Sequence, residues 1–245
     1  MSKKPAYRRI LLKLSGESLK GNSPGVIDHD ACHRIADNIR LVYELGVQIG
    51  LVIGGGNIFR GSQAERFGFA RTPADHVGML ATTINGLILG QVLSTKGCKT
   101  RVMSAVNFDG IVESYHWNHA LHSLDKGHIV IFVGGTGNPY FTTDTTASMR
   151  ASEIEAEVLL KGTKVDAIYN KDPLLYPDAE RYERLTFSEA LTKNLHVMDA
   201  TAVAMCRENG IPIHVFNSFS KEAMIQAVCE KRSGTLVTEE STEHR

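Results

Sequence analysis

Six runs in this chain read as β-strands, and most are too apolar for either face to meet water. They are "RRILLKLSG" (8–16), "VQIGLVIGGG" (47–56), "TRVMSAV" (100–106), "HIVIFVGG" (128–135), "VDAIYN" (165–170) and "IPIHVFN" (211–217). Strands buried on both sides belong to a parallel sheet covered by helices on each face, because a parallel connection needs a crossover that packs back onto the sheet. The stretches between them have helical periodicity. Over residues 28–45, Ile35, Ile39, Val42 and Leu45 share one face and Gly46 ends the pattern. A second helix is expected from Pro73 to Gly97, with Val77, Leu80, Ile84, Leu87 and Val92 as its apolar positions. With no repeat, low-complexity segment or linker, residues 1–245 read as one α/β domain.

Ligands of open parallel sheets bind beyond the carboxyl ends of the strands. Four unusual segments fall at expected strand ends: "KLSGES" (13–18), "GGGNIFRG" (54–61), "GGTGNPYFTTD" (134–144) and "YNKDP" (169–173). Glycines let backbone N–H groups approach an anion with no Cβ in the way, and a following helix N-terminus adds positive potential. A Gly-rich turn is also simply a tight turn. None of these segments fits GxxxxGK[ST], and "GGGNIFRG" lacks the GxGxxG spacing, so neither a P-loop nor a Rossmann fingerprint is present.

Lys13 stands near the end of an apolar strand, where a charge is expensive unless paired. It is either a lysine snorkelling to the strand end or a cation reaching phosphates cradled by the glycines. Arg60 is either a surface residue or a second such cation. Asp144 is expected at the start of a helix running to Glu157, and Asp199 just before the helical "ATAVAMCREN". Each is an N-cap, or an acid that holds Lys13 or a metal ion. Asp75, placed in the first turn of the helix after Pro73, either complements the helix dipole or accepts hydrogen bonds from a sugar diol. His116, His119 and His122 drift around a helix with no acidic ligand beside them, which favours a solvated face over a metal site.

Composition excludes several classes. The 27 basic and 27 acidic residues cancel, which argues against nonspecific nucleic-acid or membrane binding. The longest apolar stretches look strand-length, so no membrane span is expected, and Lys13 interrupts any signal-peptide core. A cytoplasmic protein is implied. Cys32, Cys98, Cys206 and Cys229 lie far apart, as isolated reduced thiols do.

"ILLKLSGE", "VIGGGNIFRG", "DHVGMLATTINGL", "TGNPYFTTD" and "KGTKVDAIYNKDP" together resemble the bacterial-type UMP kinases of the amino acid kinase superfamily. "HVMD" and the final "GTLVTE" agree, so the likeness runs from about residue 7 to about 239, with short flexible termini beyond. The resemblance implies a three-layer sandwich around a mainly parallel sheet of about eight strands. It implies Mg2+-dependent transfer of the ATP γ-phosphoryl group to UMP, within pyrimidine nucleotide biosynthesis, by a homohexamer. It puts Lys13, Leu14, Ser15 and Gly16 at the ATP phosphates, Gly55 against UMP and Gly56 against ATP. Arg60 would reach the phosphates and Asp75 the UMP ribose. Thr136, Gly137, Asn138, Pro139, Tyr140, Phe141, Thr142 and Thr143 would hold the uracil and the UMP phosphate. Thr163, Tyr169 and Asp172 would contact the adenine nucleotide. Asp144 and Asp199 match the acids that organise Lys13 and the metal; Mg2+ would ride mainly on the ATP phosphates, with Asp144 as its possible protein contact. UTP is the expected inhibitor, since it shares uracil and ribose with UMP.

The likeness departs at residues 21–26, "GNSPGV", where relatives often carry a different Gly-rich loop associated with a response to GTP. The candidate effector residues are therefore Gly21, Asn22, Ser23, Pro24, Gly25, Val26 and Arg101, with GTP activation in question. Two other readings share the fold: a kinase acting on a carboxylate or carbamate, and a nucleotide-binding sensor or storage protein without turnover. Asp75 and the nucleobase segment argue against the first; the presence of Lys13, Arg60 and Asp144 argues against the second.

Overall fold

The computed structural model describes residues 4–21, 23–173, 175–195, 197–230 and 233–239. Its elements, in chain order, are β1 (Arg9–Leu14), α1 (Glu17–Lys20), α2 (His29–Tyr43), β2 (Gln48–Ile53), α3 (Gly61–Arg66), α4 (Arg71–Thr95), β3 (Thr100–Ser104), β4 (Glu113–Ser114), α5 (Trp117–Asp125) and β5 (Ile129–Val133). Then come α6 (Thr143–Glu153), β6 (Val158–Thr163), β7 (Ile168–Tyr169), β8 (Arg181–Tyr182), β9 (Arg184–Thr186), α7 (Phe187–Thr192), α8 (Ala200–Glu208), β10 (Ile213–Asn217), α9 (Lys221–Cys229) and β11 (Thr235–Thr238). Asn22, the first residue of "HVMD" (His196) and the outermost terminal residues fall outside the described residues.

The large sheet has nine strands in the order β4-β3-β5-β2-β1-β6-β10-β11-β9. Every neighbouring pair is parallel except β10 and β11. One strand more than about eight is present because two short strands, β4 and β9, close the edges. β1, buried along its whole length, has β2 on one side and β6 on the other. Alternation sorts its side chains. Ile10, Leu12 and Leu14 join an apolar layer with Ile35, Ile39, Leu89 and Leu93, from α2 and α4. Leu11 joins the opposite layer with Ala147, Ala151 and Val203, from α6 and α8. Lys13 shares the parity of Leu11 and therefore faces α6.

Several elements differ from expectation for physical reasons. "VDAIYN" does not enter the large sheet; β7 pairs only with β8 in a separate two-stranded ribbon. The strand beside β1 is "VLLKGT" instead, whose apolar run is broken by Lys161. The helix from Asp144 stops at Glu153, because Glu155 turns into the left-handed region at φ 54°. α4 starts at Arg71, so Asp75 lies beyond the first turn.

The face of α4 is also reversed. Its buried side is largely small or polar, with Ala81, Thr82, Asn85, Gly86 and Gly90 beside the larger Met79, Leu89 and Leu93. Leu80 and Ile84 of the expected apolar face are 47% and 46% exposed. The helix comes so close to the sheet that a Cβ on Gly86 would lie 2.2 Å from Val133 Cγ1. α4 is also long and apolar enough, by composition, to cross a membrane, contrary to the reading of strand-length apolar stretches only. Its contacts with β2, β3 and β5 and the burial of half of that window make it a core helix.

Leu51, fully buried in β2 beneath α2 and α4, should be intolerant of truncation. Leu51→Ala is expected to lose about 2–5 kcal/mol of stability in denaturant unfolding; a loss below about 1 kcal/mol would show that the central layer repacks around it.

Candidate active site

The parallel register sets the carboxyl ends of β5, β2, β1 and β6 side by side on one rim. Three of the four unusual segments leave from there: "KLSGES" from β1, "GGGNIFRG" from β2 and "GGTGNPYFTTD" from β5. The fourth, "YNKDP", follows β7 in the small ribbon instead.

Lys13 is only 8% exposed, and it forms an ion pair with Asp144 Oδ1. Asp144 sits in the first turn of α6, whose N-cap, Thr142, accepts hydrogen bonds from the backbone N–H of Asp144 and Thr145 through its hydroxyl. The other Asp144 oxygen takes a hydrogen bond from Lys161 Nζ at 2.9 Å. Burial pushes the Asp144 carboxyl upward, but the Lys13 and Lys161 ammonium groups outweigh it and hold the carboxyl below its ordinary value. Burial lowers the Lys161 ammonium, and Asp144 offsets this only in part. Asp199 is the N-cap of α8, accepting from Ala202 N–H at 2.9 Å. It also accepts from the hydroxyls of Thr142 and Thr145, so it ties α8 to the start of α6. Among the described residues no ion pair joins Asp199 to Lys13.

Each glycine of the triplet meets a different neighbour. A Cβ on Gly55 would lie 2.7 Å from Ala81 Cβ and 3.0 Å from the Gly78 carbonyl, so its missing side chain makes room for α4. A Cβ on Gly56 would meet only Arg60 Cγ, at 3.9 Å. Gly16 is required by the chain itself: a Cβ there would stand 2.1 Å from Asn57 Oδ1 and 2.6 Å from the Gly54 carbonyl. Two buried amides lock this turn. Asn85 Nδ2 donates to the Gly54 carbonyl and to Asn57 Oδ1, both at 2.7 Å, and Asn57 Nδ2 donates to the Val26 carbonyl at 2.8 Å.

Beside them opens a cavity of about 670 Å³ over β2 and β5. Gly55, Gly56, Arg60, Asp75, Thr136, Asn138, Phe141, Thr142 and Thr143 all line it, with Arg71 and Met79. Arg60 Nε donates to the Gly56 carbonyl at 2.9 Å, and its guanidinium pairs with Glu17. Burial raises the Glu17 carboxyl, but Arg60 and Lys164 bring it below its ordinary value. The Asp75 carboxylate accepts from Arg71 Nε at 2.8 Å and from Tyr140 N–H at 2.7 Å. This bond joins the cavity lining to the loop after β5, where Tyr140 stands at φ 73°, an uncommon conformation for a side-chain-bearing residue. Gly137, Pro139 and Tyr140 belong to the same loop but do not line the cavity.

Lys13, Leu14, Ser15 and Gly16 lie at the end of β1. Thr163 ends β6, on the side of β1 away from the cavity, and its hydroxyl donates to the Val165 carbonyl at 2.6 Å. Tyr169 and Asp172 follow on β7 and its turn, where the Tyr169 hydroxyl donates to Asp166 at 2.8 Å. Of the candidate effector residues, Gly21, Ser23, Pro24, Gly25 and Val26 form the loop after α1, and Asn22 is outside the described residues. Arg101, on β3, pairs at 3.2 Å with Glu113 on the edge strand β4. Among the described residues, no hydrogen bond or ion pair joins that loop to Arg101. His116, His119 and His122 are all exposed around α5. Among the described residues, no group of three or more His, Cys, Asp or Glu could hold a metal ion.

Sequence reasoning passed over Lys161, Glu17, Arg71 and Asn85. The signal for Lys161 was the one used for Lys13, a lysine inside an apolar run. Asn85, fully buried on a helix, had no signal without knowing which face of α4 is covered.

The amino acid kinase family profile matches residues 8–217. The chain is 52% identical to the uridylate kinase of Protochlamydia amoebophila (strain UWE25), covering 97% of this chain and 95% of that protein. It is 49% identical to the uridylate kinase of Dichelobacter nodosus (strain VCS1703A), covering 96% and 97% respectively. Among solved structures it is similar to UMP kinase from Bacillus anthracis, with a TM-score of 0.92 and 36% identity over 96% of this chain and 97% of that one. It is also similar to UMP kinase from Ureaplasma parvum, with a TM-score of 0.89 and 41% identity over 97% and 100%.

The glycine geometry makes a paired prediction. Gly55→Ala should force α4 outward and lose about 1–3 kcal/mol by overpacking, whereas Gly56→Ala should stay within about 0.5 kcal/mol. Equal thermal shifts for the two would contradict the assignment of Gly55 to helix contact.

Proposed function

Because this chain belongs to the amino acid kinase family, among its UMP kinases, we propose that it transfers the γ-phosphoryl group of ATP to UMP, giving UDP and ADP. The observation that carries the reading is the position of Lys13: it stands one residue before the end of the central strand, with the cavity on one side and the β6–β7 segment on the other. UMP occupies the cavity, its ribose at Asp75 and its uracil and phosphate along Thr136–Thr143. ATP lies across Ser15, Gly16 and Gly56, with its adenine nucleoside toward Thr163, Tyr169 and Asp172. The two phosphate chains then meet at Lys13 and Arg60.

The chemistry asks for positioning and charge stabilisation. A UMP phosphate oxygen attacks the γ-phosphorus in line, the bond to the β,γ-bridging oxygen breaks, and ADP leaves with that electron pair. No general base is needed, because a phosphate monoester loses its second proton near a pKa of about 6. Lys13 stabilises charge on the transferring group, and Arg60 offsets repulsion between two polyanions. Mg2+ supplies further charge neutralisation when it arrives on ATP. It fits as a nucleotide-borne ion: Asp144 is already taken by two ammonium groups, and Asp199 by Ala202 N–H and two threonine hydroxyls.

The rest of the proposal is broader. The chain works as one domain, in the cytoplasm, in supply of pyrimidine nucleotides, and UTP inhibits it by occupying the UMP side. It assembles as a homohexamer. The support for self-association is the exposed apolar stripe of α4, where Leu80 and Ile84 lie open with Val77 and Leu87 half-buried beside them.

The test is ADP release with ATP and Mg2+, offering UMP, CMP, dUMP, carbamate and aspartate in parallel. Release that requires UMP is expected; release with carbamate or aspartate, or none from a folded protein that binds uridine nucleotides, would contradict the reading. GTP added to the same assay reports on residues 21–26 and Arg101. Lys13→Ala should lower kcat by about 10²–10³-fold while UMP still binds; unchanged turnover would remove Lys13 from the mechanism. Asp75→Asn should raise KM for UMP and leave KM for ATP near the parent value. A selective loss of ATP affinity would show the two sides to be exchanged.

A further inference from the structure

We infer that Lys161 is a positioning residue for phosphoryl transfer: it holds one oxygen of Asp144, so that the other fixes the Lys13 ammonium without cancelling its charge. The inference rests on the kinase reading above and concerns a residue with no part in the nucleotide contacts given there.

The geometry begins in the sheet. Lys13 on β1 and Lys161 on β6 are Cα partners in the parallel register, so both side chains leave the same face next to each other. α6 crosses that face and sets Asp144 between them, one oxygen to each ammonium. All three side chains are nearly enclosed, with exposures of 10% for Lys13, 15% for Asp144 and 14% for Lys161. Lys161 is also tied from behind, since its Nζ donates to the Val197 carbonyl just ahead of α8.

Charge arithmetic gives this arrangement its use. A lone Lys13–Asp144 pair is neutral and would pull weakly on an incoming phosphoryl group. The second lysine leaves the array at +1. Its own ammonium is committed to Asp144 and Val197, so the uncommitted attraction falls to Lys13. The charged and titratable groups facing Lys161 are Lys13 from β1, Asp144 from α6 and Asp199 ahead of α8. The Asp199 carboxylate is occupied by Ala202 N–H and the hydroxyls of Thr142 and Thr145.

The experiment compares Lys161→Met with the parent in the ADP-release assay. The expected result is a fall in kcat on the order of 10²-fold, the effect of displacing a group that aligns the reacting centre. KM for UMP and for ATP should each stay within about threefold. The acid limb of the kcat profile should move to higher pH, because Asp144 must be ionised and then has one cation beside it in place of two. A kcat within about threefold of the parent, or a change confined to KM for ATP, would overturn the inference.

Should Lys161→Met fail to fold, the pair Asp144→Asn and Lys161→Met/Asp144→Asn decides. The double variant removes the charge imbalance and should be no slower than the single one, whereas losses that multiply would contradict a role acting through Asp144. A readout without turnover separates this inference from the kinase reading. Acylation of Lys13 by acetic anhydride, followed by peptide mass, should fall several-fold in Lys161→Met, where Asp144 is left to hold the Lys13 ammonium alone, even if the parent shows no UMP-dependent ADP release. Unchanged labelling would overturn the inference.

Discussion

The ammonium of Lys13 is buried at the end of the central strand, and much of the rim is arranged around that fact. Enclosing an unpaired charge costs several kcal/mol. The chain meets that cost with Asp144, which requires α6 to begin where it does. The Thr142 cap sets that beginning, and Asp199 fastens Thr142 to the start of α8. Two crossovers, β5–α6–β6 and the segment leading to α8, are thereby bound to one cation. A salt bridge of this kind adds little net stability. Its consequence is geometric: a charge held where four strand ends meet.

A second constraint is the closeness of α4 to the sheet. Glycine and alanine on its inner side let its backbone approach β5 and the glycine turn, and the Asn57–Asn85 amides then tie the helix to that turn. One cavity wall is therefore this closely packed helix, and Asp75 projects from it to bind the loop after β5 at Tyr140 N–H. Leu80 and Ile84 of α4 are left on the outside, while Leu89 and Leu93 remain in the core.

The parallel sheet was legible because its strands are apolar on both faces, and α2 because it repeats large residues at helical spacing and is capped by Asp28 and ended near Gly46. The inner face of α4 was not legible. Close approach selects small residues, so the periodicity of Val77, Leu80, Ile84 and Leu87 traced the outer side. β6 was hidden by the lysine that gives it a role, and "VDAIYN" looked like a sheet strand because composition cannot say which apolar run finds a partner. At the site, the pairing of Lys13 with Asp144 and the gathering of Arg60, Asp75, Thr136, Asn138 and Phe141 to Thr143 round one cavity were legible from strand ends and family likeness, whereas Gly137, Pro139 and Tyr140 lie off its lining. Their second partners, Lys161, Glu17, Arg71 and Asn85, depended on distances between segments far apart in sequence.

The central claim is that two nucleotides meet phosphate to phosphate over the end of β1. The most direct measurement is calorimetric binding of a compound joining uridine and adenosine through a phosphate chain long enough to span both sides. Two adjoining subsites predict binding at least about 10²-fold tighter than UMP or ATP alone, with both nucleotides displaced together. Affinity no better than that of the tighter half, or continued binding of the second nucleotide beside the joined compound, would contradict the account.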